Sequence, residues 1–157
     1  MSPLRAITLA TLTVGVLDGL DAIIFFGLRG ATPTRIFQAI AAGILGRQTA
    51  VQGGLQTALL GVALHFVVAF GIVGTYYLAS LKIRVLTTHR VNCGAIYGVL
   101  AYLTRNYVVI PLSAIGPGGP AHPLPVVVNG VLIHIFGVGL PTAYFVRAGT
   151  PRSRQAG

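Results

Sequence analysis

The stretch "LQTALLGVALHFVVAFGIVGTYYLASL", residues 55–81, contains no charged residue. In hydrocarbon every backbone amide needs an internal partner, so an apolar run of this length is read as a helix. About 20 residues are enough to cross a bilayer. Its one imidazole, His65, then lies well inside the span. An ionisable group at such a position is costly, and by default it marks function.

Three more runs share this character: about 6–28, 91–112 and 124–146. None alternates in polarity as a barrel strand would. The 157 residues are 54% hydrophobic and 8% charged, with a mean hydropathy of +0.82. A soluble domain carries about a quarter charged residues, too many for this chain to match. The reading is an all-α polytopic membrane protein, a bundle of four transmembrane helices, with 1–157 as one membrane domain. Arg5 precedes the first run as in a secretory signal. The length of that run, and Asp18 and Asp21 within it, predict a retained helix instead.

Between the first two runs lies "TPTRIFQAIAAGILGR", residues 32–47. Thr32 suits an N-cap and Pro33 a first helical position. Ile36, Phe37, Ile40, Ile44 and Leu45 recur at helical spacing, with Arg35, Gln38 and Ala42 toward another face. A helix over about 33–46 is too short to cross, so it is expected to be interfacial or re-entrant on the outer side. The third loop, "AIGPGGPAHPLP" (114–125), is expected to be irregular, with His122 solvated.

Basic residues set the orientation. Arg5, Lys82, Arg84, Arg90, Arg147, Arg152 and Arg154 fall on the side of the termini and second loop; Arg29, Arg35 and Arg47 fall on the other. That bias puts both termini in the cytoplasm. The net charge of +9 suits contact with the anionic headgroups of the lipid bilayer. The charges sit at helix ends rather than on one element, which argues against a nucleic-acid partner.

"GVALHF" (61–66) and "GVLIHI" (130–135) nearly repeat, each with a glycine four residues before a histidine. Tyr76 or Tyr77 and Tyr144 follow near the cytoplasmic ends. The match predicts two helical hairpins in parallel repeat, against the alternative of chance similarity between apolar helices. Glycines at 61, 71, 74, 94, 98, 130, 137 and 139 predict close helix packing. Tyr97, Tyr102 and Tyr107 read as packing or interfacial aromatics.

Counted from the outer ends, Asp18, Asp21, His65, Arg105, Asn106, Asn129 and His134 fall within a layer about 8 Å deep at 1.5 Å per residue. The aspartates, three apart, share a helix face, with Arg105 on an antiparallel helix as counter-ion. Two carboxylates against one guanidinium leave a negative charge. A proton on an aspartate, on His65 or on His134, or a bound cation, would neutralise it. Alternatives stand beside this reading. The layer would be purely structural if Arg105 snorkels outward. His65 and His134, on parallel helices, would also serve as the two axial ligands of a b-type haem. Asp18, Asp21, His65 and His134 are ligand types for zinc or iron. Cys93 is the single cysteine, so no internal disulfide or Cys-based cluster forms. No glycosylation sequon, Walker loop or nucleophile elbow is present.

Residues 60–148 resemble the YagU-like family of small inner-membrane proteins, whose activity is unassigned. The resemblance rests on His65 in its apolar helix, "KIRVL" (82–86), "GAIYGVLAYLTRNYVVIPLS" (94–113), and His134 followed by "YFVRAG" (144–149). The first hairpin differs from the family pattern. The resemblance implies a bacterial inner membrane and histidines at both positions, without implying a function. The expectation is a non-enzymatic, transport-type or accessory protein whose Asp/Arg/His site binds or relays a proton or cation. The alternatives are a bis-His haem redox protein, or a purely structural subunit of a larger membrane complex or homo-oligomer.

Overall fold

The computed structural model describes residues 1–116 and 123–150, all helical or in short connections. His122, Arg152 and Arg154 lie outside the described residues. Among the described residues, four helices are long and apolar enough to cross a membrane. The first is α1 (Pro3–Gly27), opened by Ser2, whose hydroxyl accepts from the Arg5 amide, with proline in the first turn. The second is α4 (Gly54–Ser80). The third comprises α6 (Arg90–Thr104), a π-helical turn π1 (Arg105–Val109) and α7 (Ile110–Leu112). The fourth comprises α8 (Leu124–Ile133), a second π-helical segment π2 (His134–Gly139) and α9 (Leu140–Gly149). A single turn, α5 (Val85–Thr88), joins the second and third spans.

Both π-helical segments have an identifiable cause. A proline within a helix lacks its N–H, and its ring displaces the carbonyl four residues back. For Pro111 that carbonyl belongs to Tyr107 and for Pro141 to Gly137. Both lie inside the π segments, where the widened turn absorbs the misfit.

The first loop forms α2 (Pro33–Leu45) and a separate short α3 (Arg47–Gln52). The break is at Gly46, whose φ of 76° favours glycine. The face of α2 toward the bundle is made of small and polar residues: Gln38, Ala41 and Ala42 are buried, while Ile44 is 63% exposed. Close packing accounts for this. The carbonyl of Phe37 lies where a Gly61 side chain would be, so α2 meets α4 backbone to backbone. The buried Gln38 amide is satisfied by donating to the carbonyls of Val51 (3.3 Å) and Gly54 (2.9 Å). The Ala114 amide donates to Gly43 O (2.9 Å), tying α2 to the end of the third span.

In the bundle, α1 lies between α4 and the fourth span, and the third span packs on the fourth. Ala10, Val14, Ala69, Val73 and Val138 form the core where α1, α4 and the fourth span meet. A second cluster, Tyr76, Ala143 and Val146, closes the end that carries Lys82, Arg84 and Arg90. There Tyr97 donates to Ile72 O (2.7 Å) and Tyr76 to Leu86 O (2.8 Å), with the two rings edge-to-face at 4.9 Å. Small residues thus fill the interior. Many large apolar side chains, among them Leu59, Val67, Phe70, Leu78, Ile96 and Phe136, face outward. The glycine expectation needs one correction: Gly71 and Gly74 open onto empty space, with no neighbour to crowd a side chain. Gly61, Gly94, Gly98, Gly130, Gly137 and Gly139 do sit at close contacts.

Candidate functional site

The polar groups gather around α1. Two glycines on its inner face let α4 approach. A side chain at Gly15 would overlap the Phe66 ring, and one at Gly19 would stand 3.4 Å from His65 Nε2. That closeness brings His65 Nε2 to 2.8 Å from the Gly15 carbonyl. The carbonyl can only accept, so Nε2 carries the hydrogen and Nδ1 presents its lone pair when the ring is neutral. Nδ1 lies 3.9 Å from Asp18 Oδ2, a contact between α4 and α1 that is an ion pair when the ring is protonated. Phe37 and Phe66 approach the His65 ring edge-on, with centroids 6.2 and 5.6 Å away.

Asp21, one turn further along α1, accepts from Asn129 Nδ2 at 2.7 Å. This bond joins α1 to the fourth span. Two adjacent residues of that span therefore serve the layer, because the Gly130 carbonyl accepts from His134 Nδ1 at 2.8 Å. The proton on His134 is thus on Nδ1, the opposite tautomer from His65. His134 is buried, at 2% exposure, and meets Tyr102 edge-on at 5.5 Å. Gly130 leaves the space that the Tyr102 ring fills.

The expected Arg105 counter-ion pair is not formed. Arg105 is exposed and makes no ion pair with either aspartate, since among the described residues the only such contact is His65–Asp18. Equal depth did not ensure equal facing, and Arg105 opens π1, where the helix register changes. Asn106 is turned to its own helix and donates to Tyr102 O at 2.8 Å. The structure therefore brings together Asp18 with His65 and Asp21 with Asn129, places His134 beside them, and leaves Arg105 and Asn106 at the margin.

For a cofactor, the same hydrogen bonds matter. Ligation of a haem by Nε2 of both histidines would break the Gly15 contact of His65. Among the described residues no group of three or more His, Cys, Asp or Glu converges as a metal site would require. Sequence reasoning missed the Gly15 carbonyl, which sets the His65 tautomer, and the π segment that begins at His134. The signals were Gly15 and Gly19 flanking Asp18, and Pro141 downstream of His134. No known family, curated protein or solved structure matches this chain.

Proposed function

We propose that this chain is a small four-span protein of a bacterial inner membrane, with both termini cytoplasmic, that takes up and passes a proton within its outer half. The proton site is the gap between Asp18 and His65. Membrane insertion is supported by the outward-facing large apolar side chains and the small-residue interior. The orientation rests on the Lys and Arg bias, and the bacterial setting on the YagU-like resemblance. The observation that carries the functional reading is the tautomer of His65. With Nε2 committed to the Gly15 carbonyl, Nδ1 is the position left to gain a proton, and it faces a carboxylate. Protonated, the pair is an imidazolium beside a carboxylate with no net charge. Deprotonated, it carries one negative charge. His134, buried five residues beyond Asn129 in the fourth span, offers a second stop, and the Asn129 amide steadies Asp21. The approach of Gly15 and Gly19 to α4, and of Gly94 and Gly98 to the fourth span, supports the reading of two comparable hairpins.

The test is proton entry into liposomes containing the purified protein and a trapped pH dye, driven by a potassium diffusion potential. Wild-type protein is expected to exceed empty liposomes. Asp18→Asn and His65→Gln are each expected to reduce the protein-dependent rate about a hundredfold or more, the typical contribution of a positioned proton-transfer group. Tyr144→Phe should retain it. Wild-type flux equal to that of empty liposomes, or full flux in Asp18→Asn, overturns the proposal.

A further inference from the structure

The third and fourth spans leave a groove of about 430 Å³ on the outside of the bundle, lined by Val91, Phe136, Leu140, Pro141, Tyr144 and Phe145, with Arg90 among its walls. The lining is apolar apart from the Arg90 guanidinium and the Tyr144 hydroxyl. The guanidinium carbon lies 5.4 Å from the centroid of the Tyr144 ring, which holds the charge beside the groove. Arg90 is also the first residue of α6, which begins without a side-chain cap. The positive end of the helix dipole therefore adds to the guanidinium.

Charge decides the occupant. The chain has two acidic residues, Asp18 and Asp21, both on α1. Asp18 faces His65 and Asp21 faces Asn129. No side-chain carboxylate is left for Lys82, Arg84 or Arg90, so their counter-ions must come from outside the side chains of this protein. An apolar slot ending in a cation and a helix N-terminus matches one neighbour in a bilayer: an acyl chain below a phosphate.

We propose that this groove seats one acyl chain of an anionic phospholipid, with the headgroup phosphate on Arg90 and the first turn of α6. The inference rests on the membrane reading above but not on proton transfer. It names a lipid site on the face of the bundle that the polar layer does not use.

The chain contains no tryptophan, so an introduced one reports from a single place. Phe136→Trp puts the reporter in the groove, and Phe70→Trp puts it on an outward face of α4. Each full-length variant is reconstituted in phosphatidylcholine vesicles. Quenching is then compared for equal fractions of phosphatidylglycerol or phosphatidylcholine with brominated acyl chains. The groove reporter is expected to favour the brominated anionic lipid about fivefold, because phosphatidylglycerol lacks the choline ammonium that neutralises the phosphate of phosphatidylcholine, and its net charge beside one cation supplies about that much at a membrane surface. The α4 reporter should show no preference. Arg90→Gln in the Phe136→Trp background should abolish the preference while leaving quenching by both lipids, which shows the variant still folded and inserted. Equal quenching of the groove reporter by the two lipids overturns the lipid site, as does a preference that survives Arg90→Gln. Quenching of the α4 reporter alone would mean that protein, such as a second copy, covers the groove, and this too overturns it. If neither reporter is quenched, the membrane reading itself fails and the lipid site falls with it.

Discussion

Where a side chain is absent decides how these helices meet. The α-carbon of Gly98 faces the carbonyl of His134 and the backbone of Ile135, so a methyl group there has nowhere to go. Gly71, by contrast, has nothing within 4 Å of the position a β-carbon would take. Overpacking a tight contact costs about 1–3 kcal/mol, whereas replacing an open helical glycine by alanine gains up to about 1 kcal/mol. Gly98→Ala is therefore expected to lower stability and Gly71→Ala to leave it equal or higher. Reversible unfolding of both variants in mixed micelles, followed by circular dichroism, checks the sign. Similar losses at both positions would mean that Gly98 is not at a close contact. The same reasoning explains His65: its hydrogen bond to Gly15 forms because Gly15 and Gly19 let the imidazole reach the α1 backbone.

At the level of elements, the four long apolar helices were legible from the sequence because length and apolar composition are local quantities. The caps Thr32 and Pro33 were equally legible, and α2 begins at Pro33 and ends at Leu45. What could not be read was rotation. A residue count gives depth along an axis, but facing depends on every turn before it, and a π segment shifts the register. His65 and His134 sit in nearly the same hexapeptide, yet one reaches across to α1 and the other turns back on Gly130. Arg105 likewise makes no ion pair with either aspartate. Pro141 gives a test of this account. Removing an interior helical proline would by itself favour the helix by about 3 kcal/mol. Here the neighbouring contacts, Gly139 against Gly94 and Gly98 against His134, are built on the π register. Pro141→Ala is expected to lower the unfolding temperature, because a regular α-helix would rotate one side of the segment out of contact. A stabilised variant would show that the proline is not what sets the register.

Across the whole molecule, charge is distributed along one axis. The acidic side chains are confined to α1, while Lys82, Arg84 and Arg90 cluster around the second connection. A chain inserted by the positive-inside bias would place that connection in the cytoplasm, and Asp18 and His65 would then open toward the outer half. Direction matters for the proposed function, since a proton site nearer the outer surface would sample the external pH first. Labelling decides it. In a Cys93→Ser background, Gln48→Cys marks the first loop and Thr88→Cys the second, both exposed in the fold. A membrane-impermeant maleimide is added to intact cells whose outer barrier has been opened. It is expected to modify the Gln48→Cys variant at once, and the Thr88→Cys variant only after the inner membrane is permeabilised. The reverse pattern would put the termini outside and turn the Asp18–His65 pair toward the cytoplasm. The geometry of the pair would stand, but the proposed proton uptake would draw from the opposite compartment, and the proposed lipid groove at Arg90 would face the outer leaflet.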